Sequence, residues 1–150
     1  QDSACAVAIV RVEGSQVVER AYTLIRPPRP EIKLSWVHGL TWDELADAPR
    51  FAEAWEPLMP LFEGVSFIAA HNAGFDRGVL KACAERFAQP YPEAPFLCTV
   101  RLARKVWKQE RNNLPAVAAY LGLPLDHHNA LSDAEACAGI VIAARGPRLF

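Results

Sequence analysis

The sequence predicts an α/β fold, a mixed β-sheet flanked by helices on both faces, and three observations carry that expectation. Two apolar, β-branched segments stand close together near the N-terminus with turn residues between them. Further on, short apolar runs are each followed by a stretch of helical periodicity. A hairpin followed by alternating strands and helices buries its apolar surface best as a sheet covered by helices. The 150 residues suffice for one domain with its own core and are too few for two ordinary ones, so a single domain is expected over 1–150.

Ala4 to Val12 and Val17 to Ile25 read as the hairpin strands, joined through Glu13-Gly14-Ser15-Gln16. The first is apolar on both faces, as a strand inside a covered sheet is. Arg26-Pro27-Pro28-Arg29-Pro30 fits neither a helix nor an inner strand and reads as an extended loop. Thr41-Trp42-Asp43-Glu44 matches a capping box, and a longer helix is expected around Phe51 to Phe62. Val65 to Ala70 reads as a short buried strand. A helix follows from Ala73 to about Phe87, with Phe75, Val79, Leu80 and Cys83 on one side.

Phe96-Leu97 reads as another short strand, ahead of a helix from Cys98-Thr99 to about Trp107. Asn113 caps the next helix, Pro115 sits early where its missing N–H costs little, and Gly122 closes it. The last helix is expected from Ser132, with Glu135 completing a second capping box, to about Arg145.

Composition narrows the function classes without choosing among them. Hydrophobic residues make up 51% and charged residues 22%, the balance of a soluble globular protein. No apolar run reaches the roughly 18 residues that a membrane span needs, and no secretory leader is recognisable, so a cytoplasmic protein is expected. Cys5, Cys83, Cys98 and Cys137 form no close pair and sit in apolar contexts, which reads as buried free thiols rather than zinc or redox chemistry. With a net charge of −1, nothing global draws the chain to a polyanion, and such binding must rest on a local basic patch.

Two segments carry candidate chemistry. In Ala70-His71-Asn72-Ala73-Gly74-Phe75-Asp76 a strand ends and a helix begins, the place where open α/β sheets bind ligands. In His127-His128-Asn129-Ala130-Leu131-Ser132-Asp133, Asp133 also falls at a helix start, five residues after His128. Each aspartate alone is explained by the helix dipole. Together, two carboxylates suit a hard cation such as Mg²⁺ or Mn²⁺, and a histidine titrating near neutrality can take a proton from an attacking water.

These segments resemble a known family. His-Asn-Ala-Gly-Phe-Asp (71–76) is similar to the second exonuclease motif of DnaQ-like DEDDh 3′-5′ exonucleases, and His-x-Ala-x-x-Asp (128–133) to their third. Trp36-Val37-His38-Gly39-Leu40-Thr41 resembles the family's IHGIT segment. Ser3-Ala4-Cys5 leading into a strand, and Cys98 to Arg104, also fit bacterial members in order and spacing.

The resemblance implies an RNase H-like fold and a metal-dependent 3′-5′ exonuclease that releases nucleoside 5′-monophosphates from DNA or RNA with two Mg²⁺ or Mn²⁺ ions. It places Asp76 and Asp133 in the metal-binding carboxylate set and makes His128 the general base. His127 is excluded, because only His128 has Ala at +2 and Asp at +5. His38 and the backbone around Gly39 would line the pocket for the 3′-terminal nucleotide. Asn72 and Phe75 belong to the same substrate-binding group, shaping the loop and packing its base. A single-stranded or frayed 3′ end is the implied partner, with a homodimer or a polymerase partner left open.

The family's first motif, Asp-x-Glu on the first strand, has no counterpart ahead of Ser3, since Asp2 is followed at +2 by Ala4. That strand lies in the middle of the family's sheet, so a central strand is expected to be missing. The reading adopted is a chain cut short at its N-terminus, ahead of a strand lent by a partner or a degenerate relative without catalysis. The rival function is a non-catalytic nucleic-acid-binding or interaction module. Arg101, Arg104, Lys105 and Lys108 share one face of their helix, and Arg26, Arg29 and Lys33 add charge in the proline-rich loop. A strand-guiding patch and a solvated outer face explain these cations equally well.

Overall fold

The computed structural model describes residues 6–26, 46–126 and 129–145. The capping box at Thr41, together with Trp36, Arg29, Lys33 and Cys5, lies outside them. Strands β1 (Ala6–Glu13) and β2 (Gln16–Leu24) form the expected antiparallel hairpin. Its two-residue loop places Gly14 at φ 64°, at the first loop position, where tight hairpins need a left-handed residue. The register slips between Arg11 and Val12, leaving Val18 as the extra residue of a bulge.

Arg11 spans from this hairpin to the carbonyls of Leu61 and Glu63, at 2.9 Å each. The helix expected over 51–62 is two pieces, α1 (Phe51–Trp55) and a 3-10 helix (Glu56–Phe62). Pro57 and Pro60 are the physical reason. Neither has an N–H to bond the carbonyl four residues back, so the α-ladder stops where they begin.

β3 (Ile68–Ala70) and β4 (Phe96–Cys98) pair in parallel, with α2 (Ala73–Arg86) between them in the chain. β3 is shorter than expected because its ladder extends only as far as β4 does. α3 (Thr99–Val106) begins directly at the end of β4. α4 (Leu114–Leu121) carries the caps read from the sequence. The Ala116 N–H donates to Asn113 Oδ1 at 2.9 Å, Pro115 sits in the first turn, and Gly122 closes the helix at φ 72°.

α5 (Ala130–Arg145) starts two residues before the expected Ser132. The cap is Asn129, whose Oδ1 accepts the Ser132 N–H at 3.0 Å. Ser132 instead takes the Asp126 N–H on its hydroxyl, and Glu135 pairs with Arg20 on β2 rather than completing a capping box. α5 packs against β1, β2, β3, α3 and α4. Gly139 permits the closest part of this packing, since a Cβ there would meet the Leu123 side chain at 2.9 Å.

The two strand pairs, one antiparallel and one parallel, give the mixed strand directions expected, but no ladder joins them among the described residues. None of the described strand residues is fully buried. The core lies among the helices instead. One cluster gathers Ile25, Phe51, Trp55, Leu58 and Cys83, and a second gathers Ala103, Leu114, Val117 and Ile140.

Trp55 anchors the first cluster. It is 1% exposed, stacks on Phe51 with centroids 5.3 Å apart, and donates its indole N–H to the Pro90 carbonyl at 2.8 Å. Trp55→Ala is expected to destabilise the fold by about 3–5 kcal/mol, read by urea unfolding. A loss below about 1 kcal/mol would contradict this packing.

Candidate active site

The candidate site forms where β3 and β4 end and α2, α3 and α5 begin. At the end of β3 the chain passes through His71 and then Asn72, which holds left-handed angles of φ 68° and ψ 56°. That single left-handed residue turns the strand directly into α2, and asparagine tolerates it better than most side chains. The Asn72 carbonyl accepts the Phe75 N–H at 3.1 Å, which tightens the entrance. Asp76 is the fourth residue of α2, and Asp133 is the fourth residue of α5. Both carboxylates therefore sit in first turns, where the helix dipole favours negative charge.

Asp76 sits within reach of the Asp133 charge. Burial raises the Asp76 pKa above its ordinary value, its own backbone N–H opposes that rise, and the negative charge of Asp133 adds to it. The side chain still reaches solvent, so the crowding is one-sided. Asp133 is half-buried, and its N–H donates to the Asn129 carbonyl at 2.9 Å.

Behind the carboxylates lies a hydrogen-bonded relay that the sequence did not announce. His71 Nε2 is 2.7 Å from the Asn112 carbonyl, which can only accept, so this nitrogen carries the proton. His71 Nδ1 is 2.8 Å from the Thr99 hydroxyl, and Thr99 lies 3.6 Å from Cys137 Sγ. With the ring neutral, the thiol donates to the hydroxyl and the hydroxyl to Nδ1. Thr99 is fully buried. The Cys137 thiol is pushed up to about 11, first by burial and then by the charges of Asp76 and Cys98, while its hydrogen bond with Thr99 opposes the rise.

The relay ties the end of β3, the start of α3, the loop before α4 and helix α5 into one unit. His71→Ala leaves the Thr99 hydroxyl and the Asn112 carbonyl without this partner. A stability loss of about 1–3 kcal/mol is expected in urea unfolding, and an unchanged midpoint would refute the relay's structural role.

Cys98 corrects one expectation. It is half-buried rather than fully buried, in contrast to Cys83 and Cys137. Burial alone would raise its thiol, but the backbone N–H groups of Arg101, Ala73, Val100 and Asn72 outweigh that and lower its pKa below the ordinary value. The starts of α2 and α3 thus converge on one sulfur. Its place at the junction of a strand and a helix was the available signal, and the apolar context masked it.

Phe75 also differs from the expectation. It is 57% exposed, so it does not pack the base of the loop. It stands one residue before Asp76 with its ring toward solvent. Arg26, one of the cations of the proline-rich loop, donates to the Ala46 carbonyl at 3.3 Å. His128, His38 and Gly39 lie outside the described residues.

Oxygen donors from Asp76 and Asp133 match the preference of Mg²⁺ or Mn²⁺. Among the described residues, no group of three or more His, Cys, Asp or Glu is placed to hold a metal ion. The donor chemistry fits a hard cation, and the donor number fits part of a site. Two surface depressions of about 480 and 540 Å³ share no residue with it.

A family model described as an exonuclease, RNase_T, matches residues 1–141. The chain belongs to the DnaQ-like DEDDh exonuclease family. Among curated family members, it is 33% identical to the PolC-type DNA polymerase III of Thermotoga maritima over 94% of this chain and 10% of that protein. It is 31% identical to exodeoxyribonuclease 10 of Escherichia coli K12 over 91% of this chain and 59% of that protein. The chain therefore spans from a tenth to about three-fifths of these relatives. A solved structure of exonuclease X with 5′-overhanging duplex DNA superposes with a TM-score of 0.74 at 27% identity, covering 94% of this chain and 81% of that one. The exonuclease family's RNase H-like α/β fold, with an open sheet flanked by helices, is thus the fold of this chain. Among the described residues, no helix is long and apolar enough to cross a membrane.

Proposed function

We propose that this chain is the nuclease part of a metal-dependent 3′-5′ exonuclease that hydrolyses phosphodiester bonds at 3′ ends of DNA or RNA and releases nucleoside 5′-monophosphates. The observation that carries the reading is the pair Asp76 and Asp133, in matching first-turn positions and near enough for one charge to raise the other's pKa. A carboxylate whose ionisation a neighbouring carboxylate opposes is suited to share a cation with it.

Asp76 and Asp133 would hold Mg²⁺ or Mn²⁺. When bound, such a cation would supply positive charge to stabilise the attacking and leaving oxygens of the displacement. The side chains do the rest. His128 takes the proton from the attacking water. His38 and the backbone at Gly39 receive the terminal nucleotide, Asn72 sets the shape of the loop, and the exposed face of Phe75 offers a stacking surface to a base.

The partner is a single-stranded or frayed 3′ end in the cytoplasm. Association with a polymerase, or with a second copy, is part of the proposal, and the PolC-type relative carries a polymerase in its name. A second reading, a non-catalytic nucleic-acid-binding or interaction module, is favoured by one observation: fewer than three metal donors are grouped among the described residues.

Product analysis tests the proposal. Chromatography of an oligonucleotide digest containing Mn²⁺ should show nucleoside 5′-monophosphates, and none when EDTA is present. Internal fragments or 3′-monophosphates would point to a different reaction.

A further inference from the structure

Charge is unevenly spread along this chain. The whole sequence balances 16 Lys and Arg against 17 Asp and Glu, yet residues 99–111 hold Arg101, Arg104, Lys105, Lys108 and Arg111 against Glu110 alone. All five cations are exposed. The ion pairs among the described residues are Arg11–Glu13 and Arg20–Glu135, so neither neutralises this face. A merely solvated face would intersperse both signs. We propose that α3 and the loop behind it form a docking surface for the sugar-phosphate backbone of the nucleic acid strand whose end enters the site.

Three features favour a phosphate backbone over an acidic protein surface. The row begins at the site, because α3 starts at Cys98-Thr99, where the α2 entrance converges. Arg101 and Arg104 lie about one turn apart on α3, and Lys108, expected on the same helical face, instead follows in the loop past the end of the helix, so the cations lead away from that point. The far end of the row is held in place. Gln109 donates to the Trp107 carbonyl at 3.0 Å, Asn112 donates to the Gln109 carbonyl at 3.1 Å, and His71 Nε2–H donates to the Asn112 carbonyl at 2.7 Å. Lys108 holds a left-handed φ of 55° within this loop. A pre-organised row loses less conformational freedom on binding.

The inference rests on the nuclease reading for what enters the site, and its test does not depend on cleavage. A fluorescent single-stranded 15-mer is titrated with the full chain in EDTA at several salt concentrations and followed by anisotropy. Arg101→Gln, Arg104→Gln and Lys108→Gln together keep the side-chain stems and remove three charges. About tenfold weaker binding at low salt is expected, with a salt slope smaller by about two, since each single-strand phosphate contact contributes roughly 0.7. A double variant, Arg101→Lys with Arg104→Lys, keeps the charges and should bind as wild type does.

An unchanged slope in the triple variant, or no binding by wild type, overturns the surface. Equal competition by polyglutamate at matched charge overturns the nucleic-acid assignment in favour of an acidic protein. Slope-dependent binding without cleavage in Mn²⁺ leaves the surface standing while the exonuclease reading falls. Cleavage with no slope change does the reverse.

Discussion

Asp76→Asn is expected to reduce metal-dependent cleavage by at least about a thousandfold while raising the melting temperature of the metal-free protein. The first half follows from losing one of two carboxylates that would hold the cation, whose charge stabilisation amounts to several kcal/mol. The second half follows from the sign of the Asp76 shift. Burial, with the charge of Asp133, holds its pKa in the fold above the ordinary value. The fold thus opposes ionisation, and the favourable contribution of the protonated acid is lost as pH rises through that raised value. At neutral pH the ionised carboxylate costs stability, and asparagine removes the cost. Thermal melts at pH 7 in EDTA, paired with turnover assays, read both effects. A lower melting temperature combined with retained cleavage would refute the role given to Asp76. In the wild type, Mn²⁺ should raise the melting temperature, and in the variant it should do so less.

The second large effect is expected at His128. His128→Ala should cut turnover by about 10²–10⁴-fold, the usual contribution of a positioned general base, with little change in stability. His127→Ala is the internal control, because the match to the family's third motif singles out His128 by its spacing to Ala130 and Asp133. Steady-state rates on an oligonucleotide, with circular dichroism to confirm folding, settle the pair. Equal losses in both variants would show that the neighbouring histidine shares the role.

The elements most legible in the sequence were those whose ends are written locally. α4 is the clearest case, since Asn113, Pro115 and Gly122 each act within a turn of the helix they delimit. The hairpin was legible for the same reason, with Gly14 supplying the one conformation its loop requires. Less legible were features decided by competition or by distant partners. Asn129 and Ser132 both suit a cap, and Asn129 wins while Ser132 is engaged by Asp126. Glu135 satisfies the pattern of a capping box but pairs with Arg20, more than a hundred residues away. The break at Glu56 was present in the spacing of Pro57 and Pro60, but the hydrophobic periodicity of the segment obscured it.

In the site, Asp76 and Asp133 were legible through their motifs, and the fold sets both at helix starts where their charges interact. The exposure of Phe75 was not legible, because helical periodicity assigns a face without saying what covers it. The relay from His71 through Thr99 to Cys137 joins three elements far apart in sequence, and nothing in their local contexts marks them as partners.

The most direct test of the account is digestion of a 5′-labelled single-stranded oligonucleotide by the purified chain with Mn²⁺, resolved on a denaturing gel. A ladder that shortens from the 3′ end with time and vanishes when EDTA is added is expected. An intact strand that is nevertheless bound by the protein would contradict it, and would make the chain a nucleic-acid-binding module on an exonuclease fold.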